Sequence, residues 1–196
     1  LQYDKKGDNH YDTISAFIKS MRGSDPDATL YWLAKMIYAG EDPRFIARRI
    51  FVHAAEDVGL ADPNALLIAQ AAAYSVDYIG FPEARIPLAE AAVYIATAPK
   101  SNAVINGIDS AMNAVKNERS GQVPIHLRDA SYKGAKKLGH GKGYKYPHNF
   151  ENGYTPQQYL PEGMEGKTFY SPVDRGYEKS VLKRLDYFKK RIEDGK

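Results

Sequence analysis

Residues 24–67, "SDPDATLYWLAKMIYAGEDPRFIARRIFVHAAEDVGLADPNALL", repeat one kind of punctuation. Asp25-Pro26 is followed by Gly40, Asp42-Pro43 by Gly59, and Asp62-Pro63 by Gly80 just beyond the quoted stretch. Each unit reads as one helix. An aspartate at the N-cap accepts hydrogen bonds from the orphan N–H groups of the first turn, worth about 1 kcal/mol. A proline at the first helical position loses nothing, because its missing N–H would have had no partner. A glycine just past the end adopts the left-handed conformation without a Cβ penalty. The three aspartates are therefore read as caps and not as catalysts.

The segments between carry helical periodicity. Leu30, Leu33, Ala34 and Ile37 form one stripe, and Ala47, Ile50, Phe51, Ala54 and Val58 a second. Ala65, Ile68, Ala69, Ala72, Val76 and Ile79 form a third, rich in alanine, which lets a neighbouring helix approach closely. Upstream, a helix is expected over Thr13–Met21. Downstream, "IPLAEAAVYIATA" at 86–98 is apolar nearly all round and predicts a helix buried on several sides. Pro99 is expected to open the next helix, whose stripe is Val104, Ile108, Met112 and Val115. The fold class is thus mainly α, an array of about six helices over 1–122. After Glu118 the style changes, and 123–196 reads as a basic extension packed on that array. It is expected to hold a linker, a short basic helix over 127–138, an irregular Gly/Tyr-rich segment with room for a small hairpin over 139–175, and a last helix over Tyr177–Glu193.

Charge follows the same division. Residues 1–127 hold 12 Lys/Arg against 15 Asp/Glu, whereas 128–196 hold 15 against 9 and eight of the fifteen tyrosines. This asymmetry favours a polyanionic partner for the tail. Cysteine is absent, which excludes disulfides and thiolate metal sites. No apolar run approaches the roughly 20 residues of a membrane span. The polar start "LQYDKKGDNHYD" has no signal-peptide pattern and no initiating Met, and so reads as a piece of a longer chain.

Two stretches approach a phosphate-binding loop. "GHGKGYK" at 139–145 lacks the Gly-Lys-Ser/Thr ending, and "PEGMEGKTF" at 161–169 has that ending but Pro161 in place of its first glycine, with Glu162 and Glu165 set to repel phosphate. His53, Glu56 and Asp57 share a helical face at i, i+3 and i+4, enough for two metal ligands, but no third from elsewhere is visible among five scattered histidines. They are read as a surface ladder, His53–Asp57 with Arg49 nearby. No catalytic motif is present, so neither an enzyme site nor a cofactor or metal site is expected in this stretch. The candidate binding residues are Lys133, Lys136, Lys137, Lys142, Tyr144 and Lys145, which alternate base-stacking rings with backbone-tracking charges. The competing reading is that the tyrosines pack the tail while the lysines solvate it.

Several long strings are more specific. "YDKKGDNHYDTISAFIKSMRGSDPDATLYWLAKM", "GEDPRFIARRIFVHAAEDVGLADPNAL", "IGFPEARIPLAEAAVYIATAPKSNAV" and "GKGYKYPHNF…QQYLPEGMEGKTFY" resemble, in order, the C-terminal half of the RarA/MgsA family. These are replication-associated recombination proteins, AAA+ ATPases related to clamp loaders and to the Werner-helicase-interacting ATPase. The resemblance covers nearly all of 3–190. It implies that the Walker motifs, with their ATP and Mg, lie upstream, and that this stretch is the collar-like part that assembles subunits into a homotetramer. It further implies partners in DNA and single-stranded-DNA-binding protein for the intact protein, no membrane, and a cytoplasmic, nucleoid-associated setting. A DNA-binding module built on 133–146 is the alternative.

Overall fold

The computed structural model describes residues 8–119 and 121–193, leaving the side chains of Asp8, Lys136 and Glu193 outside the description. Seven α-helices and no strands are found among the described residues. They are α1 (Asp8–Arg22), α2 (Pro26–Tyr38), α3 (Pro43–His53), α4 (Asn64–Tyr78), α5 (Arg85–Thr97), α6 (Ala103–Asn117) and α7 (Glu178–Glu193). Packing divides the chain into two compact units, with borders at 106 and 169 and within α7, away from the composition change near 122. The first runs to Asn106 and adds Tyr170–Leu182; the second comprises Gly107–Phe169 and the chain from Lys183.

In the first unit the expected punctuation is realised. Asp25 Oδ1 accepts from the Ala28 N–H at 2.9 Å, and Asp42 Oδ1 from the Arg44 N–H at 2.9 Å. Asp62 accepts from the Asn64 N–H at 3.1 Å, one step ahead of α4. Gly40 and Gly80, at φ 71° and 77°, turn the chain out of α2 and α4. The second Asp-Pro stretch departs from a single helix: α3 ends at His53, and Ala54–Val58 continue as one π-helical turn before Gly59. The helix after Pro99 also starts later than expected. Ala98 is extended, as a residue before proline prefers, and α6 begins at Ala103, whose N–H is taken by Ser101 Oγ.

α5 packs against α1, α2, α3 and α4, so a helix apolar all round becomes the centre of the unit. Leu88, Ala91, Ala92 and Ile95 on α5 join Phe17, Met21, Met36, Ile46 and Ile50 in one core. Ala65, Ala69 and Ala72 of α4 are also buried, so the alanine stripe is ordinary core.

The same unit is closed by a strap, Tyr170–Leu182. Tyr177 N–H donates to the Ala61 carbonyl at 2.7 Å. Gly176 lies so close beneath that a Cβ there would fall 2.0 Å from the Ala61 oxygen. Glu178, fully buried at the start of α7, accepts from Ser101 Oγ at 2.7 Å, Tyr170 OH at 2.9 Å and the Val173 N–H at 3.0 Å.

The second unit is built from turns. The basic helix expected over 127–138 is replaced by 3-10 turns at Ile125–Leu127 and Ala135–Leu138. Two local features prevent a continuous helix. Asp129 accepts from both the Ser131 N–H and hydroxyl, and Gly134 sits at φ 98°. Instead of a hairpin, the amide of Gln157 pairs with Lys145 like a short piece of ladder, accepting from its N–H at 3.2 Å and donating to its carbonyl at 2.8 Å. Tyr154 stacks on Phe188 of α7 with centroids 4.2 Å apart.

Candidate functional site

Three features outside the core bear on function: the basic loop, the face of α6 and the polar knot at the end of α3. In the loop, Gly139, Gly141 and Gly143 all take left-handed φ, 74° to 86°. At Gly141 the space is also tight, since a Cβ would meet that of Ala130 at 3.1 Å. Four of the backbone N–H groups that a phosphate would draw on are already used. His140 N–H donates to the Ala135 carbonyl, Gly141 to Ile125, Lys142 to Gly139 and Tyr144 to Gly141. The "PEGMEGKTF" stretch is likewise self-satisfied: Glu165 accepts from the Gly163 N–H, and Lys167 pairs with Glu118. Both act as turns.

The predicted binding residues fare differently. The side chains of Lys133, Lys137, Lys142 and Tyr144 are exposed. Tyr132 and Tyr146 beside them are exposed too. Lys145 reaches back to the Pro156 carbonyl at 3.4 Å. Lys136 falls among the side chains outside the description. Asp129, at the base of this loop, is held below the usual carboxylate range by the Ser131 N–H and then by its hydroxyl.

The stripe on α6 is not covered. Val104, Ile108, Met112 and Val115 are 40%, 53%, 62% and 76% exposed, though periodicity marks them as a face to be buried.

The end of α3 corrects the expectation of a surface ladder. His53 and Asp57 are both buried, and their cationic partner is Arg22 of α1, not Arg49. His53 Nδ1 lies 2.8 Å from Asp57 Oδ2 and 3.6 Å from Glu56 Oε2. Arg22 Nε donates to the other Asp57 oxygen, Oδ1, at 2.8 Å. Burial alone pushes the Asp57 carboxyl up, but the hydrogen bonds from His53 and Arg22 outweigh it and hold the group below its ordinary range. The Asp57 carbonyl accepts from the Ser101 N–H at 2.8 Å, tying this turn to the segment that leads into α6. Lys100 Nζ donates to the Ala96 and Ala98 carbonyls, and burial draws its ammonium below the usual lysine range.

With this geometry in place, known proteins give a consistent comparison. The family described as MgsA AAA+ ATPase C terminal matches residues 23–189, and the AAA C-terminal domain family matches residues 1–22. The chain belongs to the MgsA C-terminal family. Replication-associated recombination protein A of Bacillus subtilis is 50% identical over 185 residues, 94% of this chain and 44% of that protein. The protein of the same name from Coxiella burnetii is 43% identical over 196 residues, 100% of this chain and 44% of its own length. The ATPase WRNIP1 of Dictyostelium discoideum is 42% identical over 171 residues, 87% of this chain and 20% of its own. The chain thus spans less than half the length of these relatives.

Within this MgsA-type region, sequence reasoning missed Glu178, Tyr170 and Arg22. For two of them a partner stands far away in sequence: Ser101 is 77 residues from Glu178, and Asp57 is 35 from Arg22. Only the first-turn position of Glu178 was a local signal. Among the described residues, no helix is long and apolar enough to cross a membrane.

Proposed function

We propose that this chain is the assembly region of a RarA/MgsA-type AAA+ ATPase, which joins the subunits of the intact protein into a homotetramer. The intact protein would hydrolyse ATP with Mg at a site outside this stretch and act in replication and recombination. The observation that carries the assembly reading is the apolar face of α6. Four residues at helical spacing face solvent on one helix, as suits a surface covered by another subunit. The test is light scattering over a concentration series without nucleotide. A mass near four times the 21.9 kDa chain, stable through the micromolar range, is expected. A chain that stays monomeric throughout overturns the reading.

A second reading, binding to DNA, is favoured by the exposed rings of Tyr132, Tyr144 and Tyr146 beside Lys133, Lys137 and Lys142. It is compatible with assembly, because a tetramer multiplies weak interactions. Fluorescence anisotropy with a single-stranded oligonucleotide should show binding that weakens with salt. Alanine at the three lysines should flatten that slope by about 0.7 for each phosphate no longer neutralised. An unchanged slope removes this reading.

A further inference from the structure

We propose that His53, Glu56 and Asp57 form a binding site for a divalent transition ion of the zinc class, seated in the π-helical turn at the end of α3. The three side chains each offer one ligand atom, and these atoms lie within 4.8 Å of one another. The Nδ1–Oδ2 and Nδ1–Oε2 separations, 2.8 and 3.6 Å, straddle the roughly 3.3 Å between neighbouring ligand atoms of a tetrahedral ion with bonds of about 2.0 Å. The group's 4.8 Å span exceeds that edge, so the two carboxylates must draw together for all three to reach bonding distance.

The arginine in the cluster does not block the site. Arg22 addresses the opposite oxygens, Asp57 Oδ1 at 2.8 Å and Glu56 Oε1 at 3.8 Å. Oδ2 and Oε2 are left turned toward the imidazole. Arg22 thus orients the carboxylates from behind, the kind of support that metal-binding carboxylates ordinarily receive. One imidazole with two carboxylates suits zinc, cobalt or nickel better than magnesium or calcium, which favour all-oxygen sets. Glu56 is the half-exposed member of the three and marks the side from which an ion and its solvent ligand reach the site. On binding, Nδ1 gives up the proton it donates to Asp57. In a neutral ring that proton moves to Nε2 by exchange with solvent, whereas an imidazolium already carries a proton on Nε2 and releases the Nδ1 proton to solvent.

The same turn anchors Ser101 through the Asp57 carbonyl, so a bound ion would stiffen the lead into α6.

The experiment is titration of the chelator-treated chain with zinc chloride by calorimetry, repeated with cobalt(II) to read the visible bands of a low-coordinate nitrogen–oxygen site. One ion per chain is expected, with magnesium chloride unable to compete. Because His53 is buried, His53→Ala risks unfolding, so the deciding variant is Glu56→Gln at the half-exposed position, with folding verified by circular dichroism. It should weaken zinc binding about tenfold or more, in line with the loss of a supporting or coordinating group. His148→Ala, at a solvent-facing turn, should leave binding unchanged. Zinc binding unaltered by Glu56→Gln, or no stoichiometric zinc on the folded wild-type chain, overturns the proposal. A direct reading is the 15N resonance of His53 Nδ1, which should move on zinc addition and stay in place if the ion sits elsewhere.

Discussion

A single carboxylate organises the closing strap of the first unit. Glu178 has lost its water and replaced it with three donors, all from outside its helix. Charge-assisted bonds of this kind offset desolvation only when all are made. Glu178→Gln keeps the shape but turns an amide N–H₂ toward groups that themselves donate. It is expected to cost about 2–4 kcal/mol, seen as a lower urea midpoint at unchanged slope. Tyr170 reports on the same carboxylate. Burial first, and then the hydrogen bond to Glu178, push its phenol up to about 12 from the ordinary 10.0. Since the folded value is the higher, this group's contribution is whole below the unfolded value and is lost as pH rises from 10.0 toward 12. Urea midpoints of the wild type should therefore fall more steeply over that window than those of Tyr170→Phe. Parallel curves for the two proteins would show that Tyr170 does not supply the effect. None of this was visible in the sequence, because a lone Glu in a first helical turn reads as a surface residue completing the dipole.

At the level of elements, legibility follows the range of the interactions that decide each one. The Asp-Pro…Gly units are decided within a few residues, so α2 and α4 stand close to where the punctuation put them. Asp25→Ala should accordingly lower stability by about 1 kcal/mol while Asp25→Asn stays close to wild type, by thermal or urea melting. The stretch 127–138 is decided locally too, but by competing signals: lysines at helical spacing against the Asp129–Ser131 turn and the left-handed Gly134. The turn won, because those lysines have no apolar face to bury. The strap depends on interactions across the chain, and its most exacting position is Gly176, at φ 53° against the Ala61 carbonyl. Gly176→Ala forces backbone apart as well as straining φ. It should therefore release the strap, exposing 170–182 to limited proteolysis while the α1–α5 core keeps its slow hydrogen exchange. Protection of the strap equal to wild type would mean that the neighbouring backbone yields without cost.

For the whole molecule, periodicity told which faces are apolar but not what covers them. The alanines of the α4 stripe and the inner residues of α5 found cover within the chain, while Ile79 and Ile86 stay exposed, and α5 became the hub that its hydrophobicity required. The α6 stripe, equally regular in sequence, stands open to solvent. The difference cannot be read from α6 itself, since a helix prepared for another subunit and one prepared for its own core carry the same pattern. Charges placed on that face distinguish the two roles. In the pair Ile108→Asp and Met112→Lys, made separately, each side chain starts more than half exposed, so neither should disturb the fold of a lone chain. If α6 is an assembly surface, each charge must be desolvated against an apolar partner in the tetramer, and opposite signs should do equal harm. Light scattering should then show both variants falling to a lower mass with unchanged helicity and an unchanged α1–α5 core. Harm from one sign alone would indicate an electrostatic partner in place of an apolar one. Tetramers that survive both charges would remove α6 from the interface and turn attention to the exposed outer face of α4, where Leu67, Tyr74 and Tyr78 lie.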